Sequence, residues 1–296
     1  MARPFPVSAS SSVELALVGP SRPIQVVAAT SQAAYLRADD TILCLAAADA
    51  VRVPCGLIIE SKTLPPLPAA GTIGLVGGGL VSIGGTAFRV ARWWRPPRPR
   101  GLGAVAPGRL AGAVRWLTGR VADPLDTPGR AAVADLVQAL SAGAHPQEAV
   151  ARLLGRGPGL TPTGDDVLAG ALVALVAMGA PAAGPLSDAV LAAAPSATTT
   201  VSAALLTHAA RGECIPQLAE LLDAIAVDGP DNPSALPRAA GALLAVGHCS
   251  GAGLLHGVLV ALAIAHSRLS FGVVPSEPVV LASALLPAAM ASPAAA

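Results

Sequence analysis

Two stretches of this chain share one design, and the duplication narrows the folds open to it. Thr163-Gly164-Asp165-Asp166-Val167-Leu168-Ala169-Gly170 aligns with Ser250-Gly251-Ala252-Gly253-Leu254-Leu255-His256-Gly257. The alignment sets hydroxyl over hydroxyl, Gly164 over Gly251 and Gly170 over Gly257, and residues 171–175 and 258–262 then match almost letter for letter. Each copy reads as a Gly-rich turn, a hydroxyl N-cap and an apolar helix rich in small residues. A helix that is apolar all round must be buried. Both copies therefore predict interior helices whose Ala and Gly faces pack closely.

In the first copy Thr163 and Asp166 have the spacing of a capping box, and two acids in the first turn suit the positive end of the helix dipole. One acid is surplus to that role, which makes Asp165 a candidate for orienting an amine, holding a metal or moving a proton. The approach to this helix uses Gly155, Gly157, Pro158, Gly159 and Pro162. Loops of that kind present backbone N–H groups to ligands. The second copy adds His248 and Ser250, with Gly253 at the position of Asp166. Thr198-Thr199-Thr200-Val201-Ser202 marks a third helix start, with threonines that also read as ordinary caps. Convergence of the three starts makes a pocket for phosphate or carboxylate.

Before residue 100 the pattern is β. Short runs at 14–18, 24–27, 34–36, 41–45, 73–76, 80–83 and 87–90 are broken by Gly, Pro and Asp. Gly77-Gly78-Gly79 and Gly84-Gly85 read as hairpin turns rather than a phosphate cradle. The basic, Pro-rich segment 92–100 reads as a linker that packs Trp93 and Trp94 between domains. Helices are expected at 130–140, 147–154, 164–179, 185–193, 200–211, 215–226, 235–246, 251–267 and 278–290. The fold class is α+β: a β-rich, barrel- or sandwich-like domain over 1–100, then an Ala/Gly-rich helical domain over 101–296.

The chain is 53% hydrophobic, which raises the question of a membrane. Ala is the largest single share of that content, and the apolar runs at 167–180 and 254–265 fall short of the roughly 18–20 residues a span needs. No membrane is expected, and no secretory leader, because 1–19 has no apolar core of the right length. A net charge of +1 gives no footprint for nucleic acid. The four cysteines, Cys44, Cys55, Cys214 and Cys249, lack CxxC spacing and read as buried thiols. A zinc site from Cys214, Cys249, His208 and His248 matches no common ligand spacing, so no metal is expected. His256, inside an apolar run, reads as interior; Arg211 and Glu213 read as a helix end and its cap.

Three segments, GPGLTPTGDDVLAG, TTTVSAALLTHAARGE and GHCSGAGLLHGVLVAL, together resemble the AllH-type subunit of oxamate carbamoyltransferase. The resemblance covers roughly 105–270. It implies a cytoplasmic, multi-subunit enzyme of purine-ureide (allantoin) catabolism that exchanges a carbamoyl group between phosphate and oxamate. The implied partners are other carbamoyltransferase subunits and a small anionic substrate such as carbamoyl phosphate or an oxamate-like acid. Such chemistry needs anion-binding donors that polarise the carbamoyl oxygen, and no cofactor. On this reading Asp165 and His248 are the catalytic candidates. Thr161, Thr163, Gly164, Asp166, Thr199, Thr200, Ser202, Ser250 and Gly251 are the substrate-binding candidates. Two other readings stay open: a non-catalytic ligand-binding or scaffold subunit, and a membrane transport component.

Overall fold

Strand formation begins earlier than the turn residues suggest. In the computed structural model, which describes residues 3–227 and 234–270, β1 (Phe5–Ser10) is followed by a helical turn, not a second strand. The Ser10 hydroxyl accepts from Ser12 N–H at 3.2 Å and starts that turn. It leads into α1 (Glu14–Val18), which corrects the strand expected at 14–18. A strand would put Leu15 and Leu17 on one face, whereas here Leu17 is fully buried and Leu15 is 87% exposed. Seven further strands follow: β2 (Arg22–Ala29), β3 (Ala33–Ala38), β4 (Thr41–Ala46), β5 (Gly56–Ile59), β6 (Ile73–Gly77), β7 (Leu80–Ile83) and β8 (Thr86–Trp94).

These strands close into a barrel in the order β1-β5-β4-β3-β2-β6-β7-β8. Neighbours are antiparallel except for the parallel pairs β1–β8 and β4–β5. Gly78 and Gly79, at φ 57° and 74°, form the turn between Gly77 and its partner Leu80, as a two-residue hairpin with both central residues left-handed requires. The tryptophan linker is corrected. Trp93 and Trp94 end β8 and lie in register with Ala9 and Ser10 of β1, and the proline run begins after them.

The helices are α2 (Pro107–Thr118), α3 (Thr127–Ser141), α4 (Gln147–Leu153), α5 (Thr163–Met178) and α6 (Ala183–Ala197). They continue with α7 (Thr200–Ala210), α8 (Pro216–Val227), α9 (Ala235–Leu244) and α10 (Ser250–Ser270). The α+β reading holds, with α2 added ahead of the helices expected. The helix expected at 278–290 lies outside the described residues. α10 outruns its apolar stretch because Ser250–Gly253 and the residues after Ala265 join the helix. Its segment Ser250–Ser267 is long and apolar enough to cross a membrane, yet 67% of that segment is buried inside the fold.

The duplicated helices α5 and α10 form the centre of this half. Their repeated glycines meet one another. A Cβ on Gly170 would lie 2.1 Å from the Leu254 carbonyl oxygen, and one on Gly257 would lie 2.1 Å from the Val167 oxygen. Val167 and Leu254 are themselves equivalent positions in the two copies. The helices therefore cross reciprocally at a distance only glycine permits. Gly164 and Gly251 seat the helix starts on the ends of α4 and α9, where an added Cβ would lie 2.1 Å from Leu153 O and 1.9 Å from Leu243 O.

Candidate functional site

Because α5 and α10 cross near their starts, the loop that feeds α5 lies beside the first turn of α10. Gly155, Gly157 and Gly159 have φ of 71°, 112° and 94° and fold residues 154–162 back over the helix start. The Thr161 hydroxyl lies 3.1 Å from the Ser250 hydroxyl, and Thr163 Oγ1 points to Cys249 Sγ at 3.6 Å. On the other side, the Thr199 hydroxyl donates to Leu160 O at 2.5 Å. The starts of α5, α7 and α10 thus converge on one loop.

Thr163 does not cap α5. It is the first helical residue, behind Pro162, and its hydroxyl is turned toward Cys249. Thr199 is a true cap, since its side chain accepts from Ser202 N–H at 3.0 Å. Among the helix-start amides, Gly164 N–H donates to Arg156 O at 2.8 Å, and Gly251 N–H to Val246 O at 3.0 Å.

Asp165 sits where the starts of α5 and α7 meet and is 1% exposed. Its Oδ1 accepts from Gly155 N–H at 2.7 Å. Its Oδ2 accepts from the Thr198 hydroxyl and from the Ser202 hydroxyl, the latter at 2.6 Å. An anion at this junction would need the same donors. The chain's own carboxylate fills that position and ties α7 and the 154–162 loop to α5.

One residue on, the environment changes. Asp166 faces a cavity of about 220 Å³ between the barrel and the helices. The barrel contributes Tyr35 from β3 and Val51, Val53 and Pro54 from the β4–β5 connection. The helical wall is built from α5, α7, α8 and α10, with Ala169, Leu205, Leu218 and Leu254 among its apolar members. Its polar members are Thr161, Asp166, Glu213, Ser250 and the Tyr35 phenol, and among the described residues no Lys or Arg lines it. Asp166 is 7% exposed, and its Oδ2 is buried without a hydrogen-bond partner. Burial, reinforced by the nearby Asp165 charge, pushes its carboxyl up to about 8, and the Ser250 hydroxyl offsets this only in part.

Glu213 has the opposite character. It is not the helix cap expected of it: its side chain is 2% exposed and bound on three sides. Ser12 donates to Oε1 at 2.8 Å, Arg98 pairs with the same oxygen, and His208 Nδ1 lies 2.5 Å from Oε2. Burial alone would raise its carboxyl, but hydrogen bonds from His208, Arg98 and Ser12 together hold it down at about 2. Those partners come from the barrel, the linker and α7, so one carboxylate joins the two halves of the chain beside the cavity. Cys214, next to it, lines the same cavity, and burial pushes its thiol up to about 12. It is therefore no thiolate nucleophile near neutral pH.

Of the residues singled out from sequence, Thr161, Asp166 and Ser250 line the cavity. Thr163, Gly164, Ser202 and Gly251 are buried around it. Thr199 supports the loop, while Thr200 and His248 are exposed and do not line the cavity. His256 is interior, and burial lowers its imidazole below the ordinary value. Cys44, Cys55 and Cys214 are buried free thiols and Cys249 is half-buried. Among the described residues no three His, Cys, Asp or Glu side chains are grouped to hold a metal. Tyr35 enters the site without a motif to mark it. Glu213 closes the second of the three motifs, TTTVSAALLTHAARGE, but reads there as a helix cap and not as a site residue.

Residues 153–262 match the family model described as oxamate carbamoyltransferase subunit AllH. The resemblance carried by the three motifs therefore holds across this span. It runs from the end of α4 into α10 and takes in the loop, the three helix starts and Glu213, but not the barrel wall. The family model describes a carbamoyltransferase-related subunit, hence a component of an assembly. No curated protein and no solved structure matches the chain.

Proposed function

We propose that this chain is a cytoplasmic subunit of an oxamate carbamoyltransferase-like complex in purine-ureide catabolism, and that its substrate site is the cavity at Asp166. The complex would move a carbamoyl group from carbamoyl-oxamate to phosphate, giving oxamate and carbamoyl phosphate. The observation that carries this reading is the buried Asp166 Oδ2, left without a hydrogen-bond partner on a residue that lines a cavity walled largely by the segment with the family resemblance. A buried polar atom left unpaired costs about 1–3 kcal/mol in the empty protein. A ligand that satisfies it recovers that cost. Thr161 and Ser250 supply hydroxyl donors at the same wall, of the kind that polarise a carbamoyl oxygen.

Asp165 then acts as a positioning residue. It fixes the α7 start and the 154–162 loop so that Asp166 and Thr161 face the cavity. His248 is exposed at the entry to α10 and does not line the cavity, so no step is assigned to it.

The test is reconstitution with candidate partner subunits of such a complex, followed by assay of carbamoyl phosphate formation from carbamoyl-oxamate and phosphate. Asp166→Ala and Ser250→Ala are expected to lower kcat/KM by about tenfold or more each, the effect of losing one interaction of about 1.4 kcal/mol or more. A complex that needs the chain but runs at full rate with both variants assigns it a scaffold role instead.

A further inference from the structure

Oxamate and carbamoyl phosphate share an uncharged end, an amino group on a carbonyl carbon, and differ in the anion attached to it. The cavity chemistry suits the shared end. We propose that the cavity receives the uncharged carboxamide end of its ligand, with the carbonyl oxygen accepting from the Asp166 carboxyl and an amide N–H donating toward Glu213, and that it rejects a carboxylate or phosphate. This inference rests on the reading of the cavity as the substrate site.

The cavity differs from the phosphate or carboxylate pocket that converging helix starts suggest. That convergence exists, but its anion position is taken by Asp165, with Gly155, Thr198 and Ser202 as donors. What remains open to a ligand is walled by two carboxyl groups, three hydroxyls and apolar side chains. An anion here would face Glu213, whose charge Arg98 already pairs, with Asp165 behind Asp166, and among the described residues no Lys or Arg lines the cavity to receive it. Burying an unpaired charge in such surroundings costs far more than burying a hydrogen-bonded amide.

A primary amide offers one partner to each carboxyl group. Asp166, whose carboxyl titrates only near about 8, carries the proton that donates to the carbonyl oxygen. Glu213 Oε2 is partnered by His208 and keeps capacity to accept one N–H. Other titratable groups around Asp166 are Asp165 on the same helix, Tyr35 from β3, Cys214 across the cavity and Cys249 ahead of α10. Burial raises the Tyr35 phenol and the Cys214 thiol, so both stay neutral as Asp166 titrates.

The test is calorimetric titration of the full chain with acetamide and oxamide against acetate, at about pH 6 and about pH 9.5. Both amides are expected to bind at the lower pH and acetate is not. Amide affinity should fall about thirtyfold at the higher pH as Asp166 ionises. Asp166→Asn, which keeps an N–H donor, should retain amide binding at both pH values, and Ala169→Leu, which fills the cavity, should abolish it. The proposal is overturned if acetate binds as tightly as acetamide, if amide binding ignores pH or survives Ala169→Leu, or if neither amide binds saturably. Overturning it while the reconstituted complex remains sensitive to Asp166→Ala would leave the site and remove only the neutral-end assignment.

Discussion

Gly253 stands directly against Asp166, the residue it replaces in the other copy of the motif: a Cβ on Gly253 would lie 2.7 Å from the Asp166 Cβ. The two copies thus face one another at their equivalent positions, and an acid in the second copy would be pressed onto the acid in the first. With glycine there, α10 approaches close enough to bury Asp166, and burial is what raises its carboxyl. Gly253→Ala is expected to force the helix starts apart and cost about 1–3 kcal/mol in urea unfolding. Gly112→Ala is the control. An added Cβ in the middle of α2 meets nothing within 4 Å, so it should stabilise by about 0.5–1 kcal/mol. Equal effects at the two positions would mean that the α5–α10 crossing is looser than its glycines imply.

The Asp166 carboxyl also sets a pH dependence of stability. Its folded value, about 8, lies above the ordinary 3.8. Between those values the folded chain holds a proton that the unfolded chain releases, so stability falls as pH rises through that window. Asp166→Asn removes the slope. Unfolding midpoints should show wild type losing stability from pH 4 to pH 8 relative to the variant, with a difference on the order of a few kcal/mol at the upper end. Parallel curves for the two proteins would contradict the raised value.

Much of this was legible in the sequence, for physical reasons. The repeated Gly positions and apolar faces announced two buried, closely packed helices, but not that they pack on one another: Gly164 and Gly251 face the preceding helices, and only Gly170 and Gly257 make the crossing. The hairpin glycines announced β6 to β8. The short strand β5 was invisible, because Gly56–Ile59 is buried throughout and has no alternation to read. In the site, convergence of the three helix starts could be posed from their hydroxyls. Which acid faced the cavity could not. Asp165 and Asp166 are neighbours on one turn, and their roles are divided by Thr198 and Ser202, more than thirty residues away. Tyr35 and Glu213 join the cavity through barrel closure and the Arg98 linker, which no local pattern records.

Asp165 has three donors aimed at it, and that number makes its charge state structural. Asp165→Asn leaves one donor facing an amide N–H that cannot accept. A cost of about 1–3 kcal/mol is expected, together with faster hydrogen exchange at the start of α7. Asp165→Glu, longer by a methylene in a site with 1% exposure, should cost a similar amount through overpacking. Ser202→Ala combined with Asp165→Asn should cost less than the sum of the two changes, because the variants share one interaction. Additivity in that cycle would place the Ser202 hydroxyl elsewhere.

Glu213 provides the test of how the barrel is held to the helices. Its carboxyl, held down at about 2 against an ordinary 4.5, contributes stability that is fully present above about 4.5 and lost as pH falls through about 2. Glu213→Gln keeps an amide oxygen that can accept from Ser12 and Arg98 but removes the carboxylate charge, which leaves the guanidinium without its ion-pair partner. The expected loss is about 1–3 kcal/mol at neutral pH, because the Glu213 carboxylate is buried while the Arg98 side chain is half exposed and can be solvated when its partner is lost. The variant should also lose the acid-induced loss of stability expected of wild type between about pH 4.5 and about pH 2. Because Ser12 lies in the barrel and His208 in α7, limited proteolysis of Glu213→Gln should cut first in the segment 95–106, which joins them. Unchanged cleavage there, with stability lost, would mean that Glu213 supports α7 alone and that the two halves are held together elsewhere, as where α7 packs on β4.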